Sequence, residues 1–259
     1  MLLGCGNSEH LSEESTRHDA VEKDHAEPLI KEEDAEKIQL VLEILEVSGQ
    51  AKNIRGWVEN PTHIADDQKR KRVIEQADAN ELVERIAGEF AGLLPVEEWK
   101  EVKAWESTEE RKVFREKGGE LNRKVQTECP KYILNVVLEK EFEIPILPDD
   151  PNDPMHNALK LVESIRLGVI AKETWRQSMI QFGHGDSEEF KKWDADIKVE
   201  DINLVAAKVT VSVYDENVLN KAAAFHSSPV GKKYTPLKSE MTRISQEVAR
   251  QYFRELLSQ

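Results

Sequence analysis

The 259-residue chain has two cysteines, Cys5 and Cys129, too few for a disulfide framework or a cysteine-based zinc site. It has no run approaching the roughly 20 apolar residues that a membrane-spanning helix needs. Positive charge is also short: 36 Lys and Arg face 50 Asp and Glu, a net charge of -14. Such a surface repels duplex nucleic acid and anionic bilayers. The one compact basic run, Gln68–Arg72, would point several ways on a helix, so nucleic acid is not an expected partner. Catalytic signatures are missing too. There is no G-x-S-x-G elbow, Walker loop, G-x-G-x-x-G or H-E-x-x-H. No catalytic residue, metal site or cofactor is therefore expected. With 50 acidic residues, spacing alone nominates no carboxylate pair.

What the chain does have is helical periodicity. Charged residues make up 33% and hydrophobic ones 39%, a balance suited to amphipathic helices rather than a thick buried sheet. Ile38, Val41, Leu42 and Leu45 fall on one face, with Gly49 as the expected stop. Leu82, Ile86, Phe90 and Leu94 form a second stripe, and Trp99, Val102 and Trp105 a third. Ser107 and Glu110 have capping-box spacing for a following helix. Between 141 and 154 four prolines, Pro145, Pro148, Pro151 and Pro154, block helix and mark an extended connector. Leu161, Val162 and Ile165 then open another helix, with Gly168 as its expected stop. Tyr234, Leu237, Met241, Ile244, Val248 and Tyr252 step by three and four and make the clearest amphipathic helix.

The second half echoes the first. With Phe225 set on Trp105, an offset of 120, Ser227 falls on Ser107, Ser228 on Thr108 and Tyr234 on Phe114. Starting instead from Ala171-Lys172 and Ala51-Lys52, the offset is again 120. Two anchors sharing one offset without a gap point to a tandem duplication. The echo bears on "KVTVSVYD" (208–215), which alternates like a strand. Its counterpart continues a helical pattern, so both are expected to be helix. The expectation is an all-α fold of two tandem helical-bundle units: an acidic tether at 1–34, unit one at 35–140, the connector at 141–154 and unit two at 155–259.

Two resemblances add to this. Leu2-Leu3-Gly4-Cys5 resembles the lipobox of bacterial lipoproteins, in which the cysteine carries lipid, although the charged and apolar segments that usually precede it are missing. Eleven acidic against three basic residues follow up to Glu36, a composition that favours disorder. Further on, Phe225, Ser227, Ser228, Gly231, Lys232, Lys233 and Tyr234 resemble the C-terminal signature of the DUF2059 family, with His226 where that family often has tyrosine. The resemblance covers about 100 residues of the second half and, more faintly, the first. It implies an all-helical secreted or periplasmic bacterial protein and supplies no catalytic residues.

In physical terms the same residues describe a helix–corner–helix joint. Ser228 can cap the helix that Pro229 starts, Gly231 leaves room for a close neighbour, and Phe225 and Tyr234 can pack across the corner. Lys232 and Lys233 lie near a helix N-terminus, where they either attend an anion or point into water. Candidate binding residues are therefore His226, Lys232 and Lys233, together with His184 in the glycine-flanked loop "FGHGDSEEF"; Cys5 is the candidate lipidation site. His10, His18 and His25 in the acidic stretch are read as solvated. The expected function is a non-enzymatic, envelope-located, helical protein-interaction module. The alternatives are a small-ligand or lipid site between helices, an enzyme using His184 and scattered carboxylates, and a cytoplasmic location with Cys5 unmodified.

Overall fold

A computed structural model describes residues 32–61 and 64–258. The lipobox-like start, Cys5 and His63 lie outside the described residues. Among those described there are thirteen helices and no strand. The first seven are α1 (Glu32–Val47), α2 (Gln50–Glu59), α3 (Asp67–Gln76), α4 (Ala79–Ala91), α5 (Val96–Glu106), α6 (Glu109–Glu116) and α7 (Gly118–Val137). Non-helical chain covers the proline-rich stretch. Then come α8 (Pro154–Ser164), α9 (Leu167–Gln181), α10 (Glu188–Asp196), α11 (Val199–Val211), α12 (Glu216–Ser227) and α13 (Pro229–Ser258). "KVTVSVYD" is helical only at its start: Val209 and Val211 belong to α11, while Val213 lies in the turn that follows it.

Side-chain caps start most of these helices. Asp66, Asp78, Ser187 and Asp215 each accept a backbone N–H from the first turn that would otherwise lack a partner. Asp153 does the same ahead of Pro154, where proline loses nothing by lacking its own N–H. Gly49 takes a left-handed φ of 76° between α1 and α2, as its place in the pattern predicts.

Two boundaries differ from the sequence reading. The cap of α6 is Thr108, whose Oγ1 accepts Arg111 N at 3.1 Å, while Ser107 closes α5. Gly168 is not a stop: α8 ends at Ser164, and Arg166 makes the turn at φ 57°. A non-glycine residue there costs about 1–2 kcal/mol. Gly168 is needed one turn further on for a different reason. A Cβ on it would stand 2.3 Å from Asn203 Oδ1 and 2.9 Å from the Val199 carbonyl, so only glycine lets α9 approach α11 this closely.

The apolar faces meet in two clusters, and neither is drawn from one half of the chain. The first joins residues of α1, α2, α4 and α5 with Tyr234, Met241, Tyr252 and Phe253 of α13. The second joins α8, α11 and α12 with Leu121, Val125, Cys129 and Ile133 of α7. Each half thus sends its last long helix into the other half's cluster. Two tyrosines 120 residues apart fasten these helices. Tyr252 Oη accepts Asp78 N at 2.8 Å, at the start of α4. Tyr132 Oη accepts Lys198 N at 3.3 Å, at the start of α11, and donates to Asp201 at 2.9 Å. The starts of these helices, Ala79 and Val199, are also 120 apart, as are their ends, Ala91 and Val211.

Each buried Leu, Ile or Phe side chain contributes about 1.5–3 kcal/mol. Several buried apolar or aromatic residues on each exchanged helix, among them Leu121, Val125 and Ile133 on α7 and Tyr234, Met241 and Phe253 on α13, outweigh anything the connector could add. A protease site placed within 141–149 and cleaved in the folded protein should therefore leave the two fragments co-eluting on a sizing column. They should separate in denaturant; separation under native conditions would contradict the exchange.

Candidate functional site

The corner that follows Phe225 is built as its residues require. Ser228 Oγ accepts Gly231 N at 3.0 Å and caps α13. A Cβ on Gly231 would lie 1.9 Å from the Phe225 carbonyl oxygen, so glycine is required where the two helices touch. Phe225 and Tyr234 pack edge to face at 6.1 Å, and Phe225 also stacks on Trp105, its counterpart at offset 120, at 5.1 Å and 14°.

His226 sits inside this corner, 2% exposed, among Trp105, Phe114 and Phe225. The Thr235 hydroxyl donates to the Gly231 carbonyl at 2.7 Å, so it must accept from His226 Nδ1 at 2.9 Å. That assigns the proton to Nδ1 and leaves Nε2 bare and buried, without a partner among the described residues. Burial, reinforced by Lys238 and Arg111, pushes the imidazole down to about 3. His226 is accordingly a neutral core residue that presents no ring face to a ligand from solvent. Lys233 is paired with Glu98 across to α5. Lys232 is exposed, and so is His184 in the turn before α10. The structure does not bring His184 and His226 together. Among the described residues no group of three or more His, Cys, Asp or Glu is placed to hold a metal.

Sequence reasoning missed a buried ion pair beneath the corner. Glu106 has a side chain 1% exposed, and its Oε2 receives Arg111 Nε at 2.9 Å, with Arg115 at 3.6 Å. Tyr234 Oη reaches the other carboxylate oxygen at 3.5 Å. Lys238 Nζ lies 5.0 Å over the Tyr234 ring, and burial, together with Arg111, lowers its ammonium to about 8. No motif announces this cluster, because its members come from α5, α6 and α13.

It also missed a groove. Between α7 and α9 lies a cavity of about 750 Å³, with Leu121, Val125 and Ile133 on one side and Ile170, Trp175 and Met179 on the other. Its lining contains no charged residue. The groove opens because α9 is under-buried. In the first half, α2 buries Ala51, Ile54 and Val58, whereas α9 buries only Gly168. At the spacing of 120, Thr174 and Ser178 stand where Ile54 and Val58 do. Smaller polar side chains leave room that the isoleucine and valine occupy, while Val169, Ile170 and Ile180 remain exposed. Cys129 also lines the groove, its thiol raised to about 11 by burial and therefore protonated.

Along the adjoining face of α9 a second cavity, about 910 Å³, is bounded by Arg166, Lys232, Thr235 and Ser239. It shares Ile165, Ile170, Thr174 and Ser178 with the apolar groove. No described helix is long and apolar enough to cross a membrane. Compared with protein-family models, curated proteins and solved structures, the chain matches none.

Two outcomes follow from this geometry. Glu106→Gln would leave Arg111 buried opposite an amide and should lower the unfolding free energy by about 3–5 kcal/mol in urea melts. His226 has a folded-state pKa below its unfolded value, so its contribution is present above about pH 6.5 and is lost as pH falls towards 3. Unfolding between those limits should take up about one proton from this residue. The His226→Phe variant should show a correspondingly shallower acid slope.

Proposed function

We propose that the chain is a non-catalytic binding module and that the groove between α7 and α9 receives an apolar ligand. One observation carries this reading: in a chain that is 33% charged, a groove wall of twenty residues contains no charge. Apolar surface left open on a folded protein costs free energy, about 25 cal/mol per Å², and contiguous patches of this kind mark binding sites. The volume lies within the range of about 300–1,000 Å³ typical of ligand pockets. A helical module suited to protein interaction remains in keeping with this, with the groove as its docking place. The lipobox-like Leu2-Leu3-Gly4-Cys5 supports placing the module at a bacterial envelope. The DUF2059 resemblance supports the same setting.

Uncharged phenylnaphthylamine, which fluoresces in apolar surroundings, should bind the full chain with one-to-one stoichiometry. Ile170 is 60% exposed, so Ile170→Glu should leave the melting temperature nearly unchanged. A charge brought into an apolar contact should nevertheless weaken dye binding by about tenfold or more. Full retention of binding in that variant would sink the assignment of the groove.

A further inference from the structure

Resting on the groove reading above, we infer that the ligand is a long-chain carboxylate. Its chain lies between α7 and α9, and its head group is held by Arg166 and Lys232 in the cleft that adjoins the groove along α9.

The groove can satisfy only a chain. Its polar wall residues, Asn122, Gln126, Thr174 and Ser178, are neutral, so a charged head group within it would go unpaired. The adjoining cavity supplies what the groove lacks. Arg166 and Lys232 both line it, and neither has an ion pair among the described residues. The acidic residue on that wall, Glu173, lies 3.7 Å from Arg176, a cation that Asp194 engages more closely, so in the cleft itself Arg166 and Lys232 outnumber it two to one. Against a net charge of -14, two uncommitted cations facing one cleft make a local exception where an anion is favoured. The guanidinium of Arg166 can hold a carboxylate through two parallel hydrogen bonds, and Lys232 adds a mobile ammonium.

The two cavities are contiguous, since Ile165, Ile170, Thr174 and Ser178 border both. A molecule apolar along its length and anionic at one end fits both at once. An amphipathic helix fits less well. Its polar flank would meet neutral Asn122 and Gln126 along α7 instead of a charged rim.

Calorimetric titration of the full chain with hexadecanoate and with its uncharged methyl ester tests this. Hexadecanoate should bind at least tenfold more tightly than the ester. Lys232→Gln, at an exposed position, and Arg166→Asn, which tolerates the left-handed turn, should together bring the acid down to the ester's affinity without changing ester binding. Should the double variant unfold, Lys232→Gln alone should still weaken the acid several-fold and make its binding less salt-sensitive. Equal affinity for acid and ester, or no loss in Lys232→Gln, would overturn the head-group assignment while the groove stands. Dye binding without binding of either long-chain compound would overturn the ligand class, and displacement of the dye by an uncharged amphipathic helical peptide would point to a helix instead. Failure of the dye as well would remove the groove itself.

Discussion

The pairing of Glu106 with Arg111, roofed by the Trp105–Phe225 stack, is the constraint around which the rest of the structure is arranged. A carboxylate 1% exposed is tolerable only when a cation and further donors reach it. Arg111, Arg115 and Tyr234 do so from α6 and α13, which ties the ends of three helices to one point. The aromatic rings around that point exclude water, and the same exclusion holds His226 neutral. The chain therefore turns sharply after α5 and again after α12, and the two turns lie against each other.

Leaving that corner, each long helix departs towards the other half. α7 completes the cluster of α8, α11 and α12, and α13 completes that of α1, α2, α4 and α5. The arrangement explains why apolar stripes from distant parts of the sequence are so fully buried: Phe90 and Ala158 are both at 0% exposure. It also explains where the groove lies. A bundle closed on all sides leaves no room, but α9 carries Thr174 and Ser178 where α2 carries Ile54 and Val58, and the bundle completed by α7 stays open along that seam. The open seam is thus a local consequence of the side chains that α9 carries.

Much of the helical architecture was legible beforehand, for identifiable reasons. Periodic stripes, Gly49 and Pro154 are local signals governed by backbone sterics and hydrogen bonding within a few residues. The corner at Phe225–Tyr234 was legible too, because Ser228, Pro229 and Gly231 each have one dominant structural use. The role of Gly168 was misread, since a glycine can serve either a turn or a close approach. Only the position of Asn203 on another helix decides between them. His226 and Lys233 attracted attention as polar residues near a helix N-terminus. Burial among three aromatic residues and pairing with Glu98 account for them instead.

The sequence by itself determined that the chain is helical, where most helices begin, and which faces must be buried. These properties follow from dihedral preferences, caps and hydrophobic spacing, all of which act over a few residues. Tertiary structure alone decided that α7 and α13 cross over, that Glu106 finds its cations, and that an uncharged groove lies beside a cleft lined by Arg166 and Lys232. Each of these depends on side chains between five and well over a hundred residues apart. Burial strength is proportional to area and carries no address, so a stripe states that it must be covered without stating by which helix.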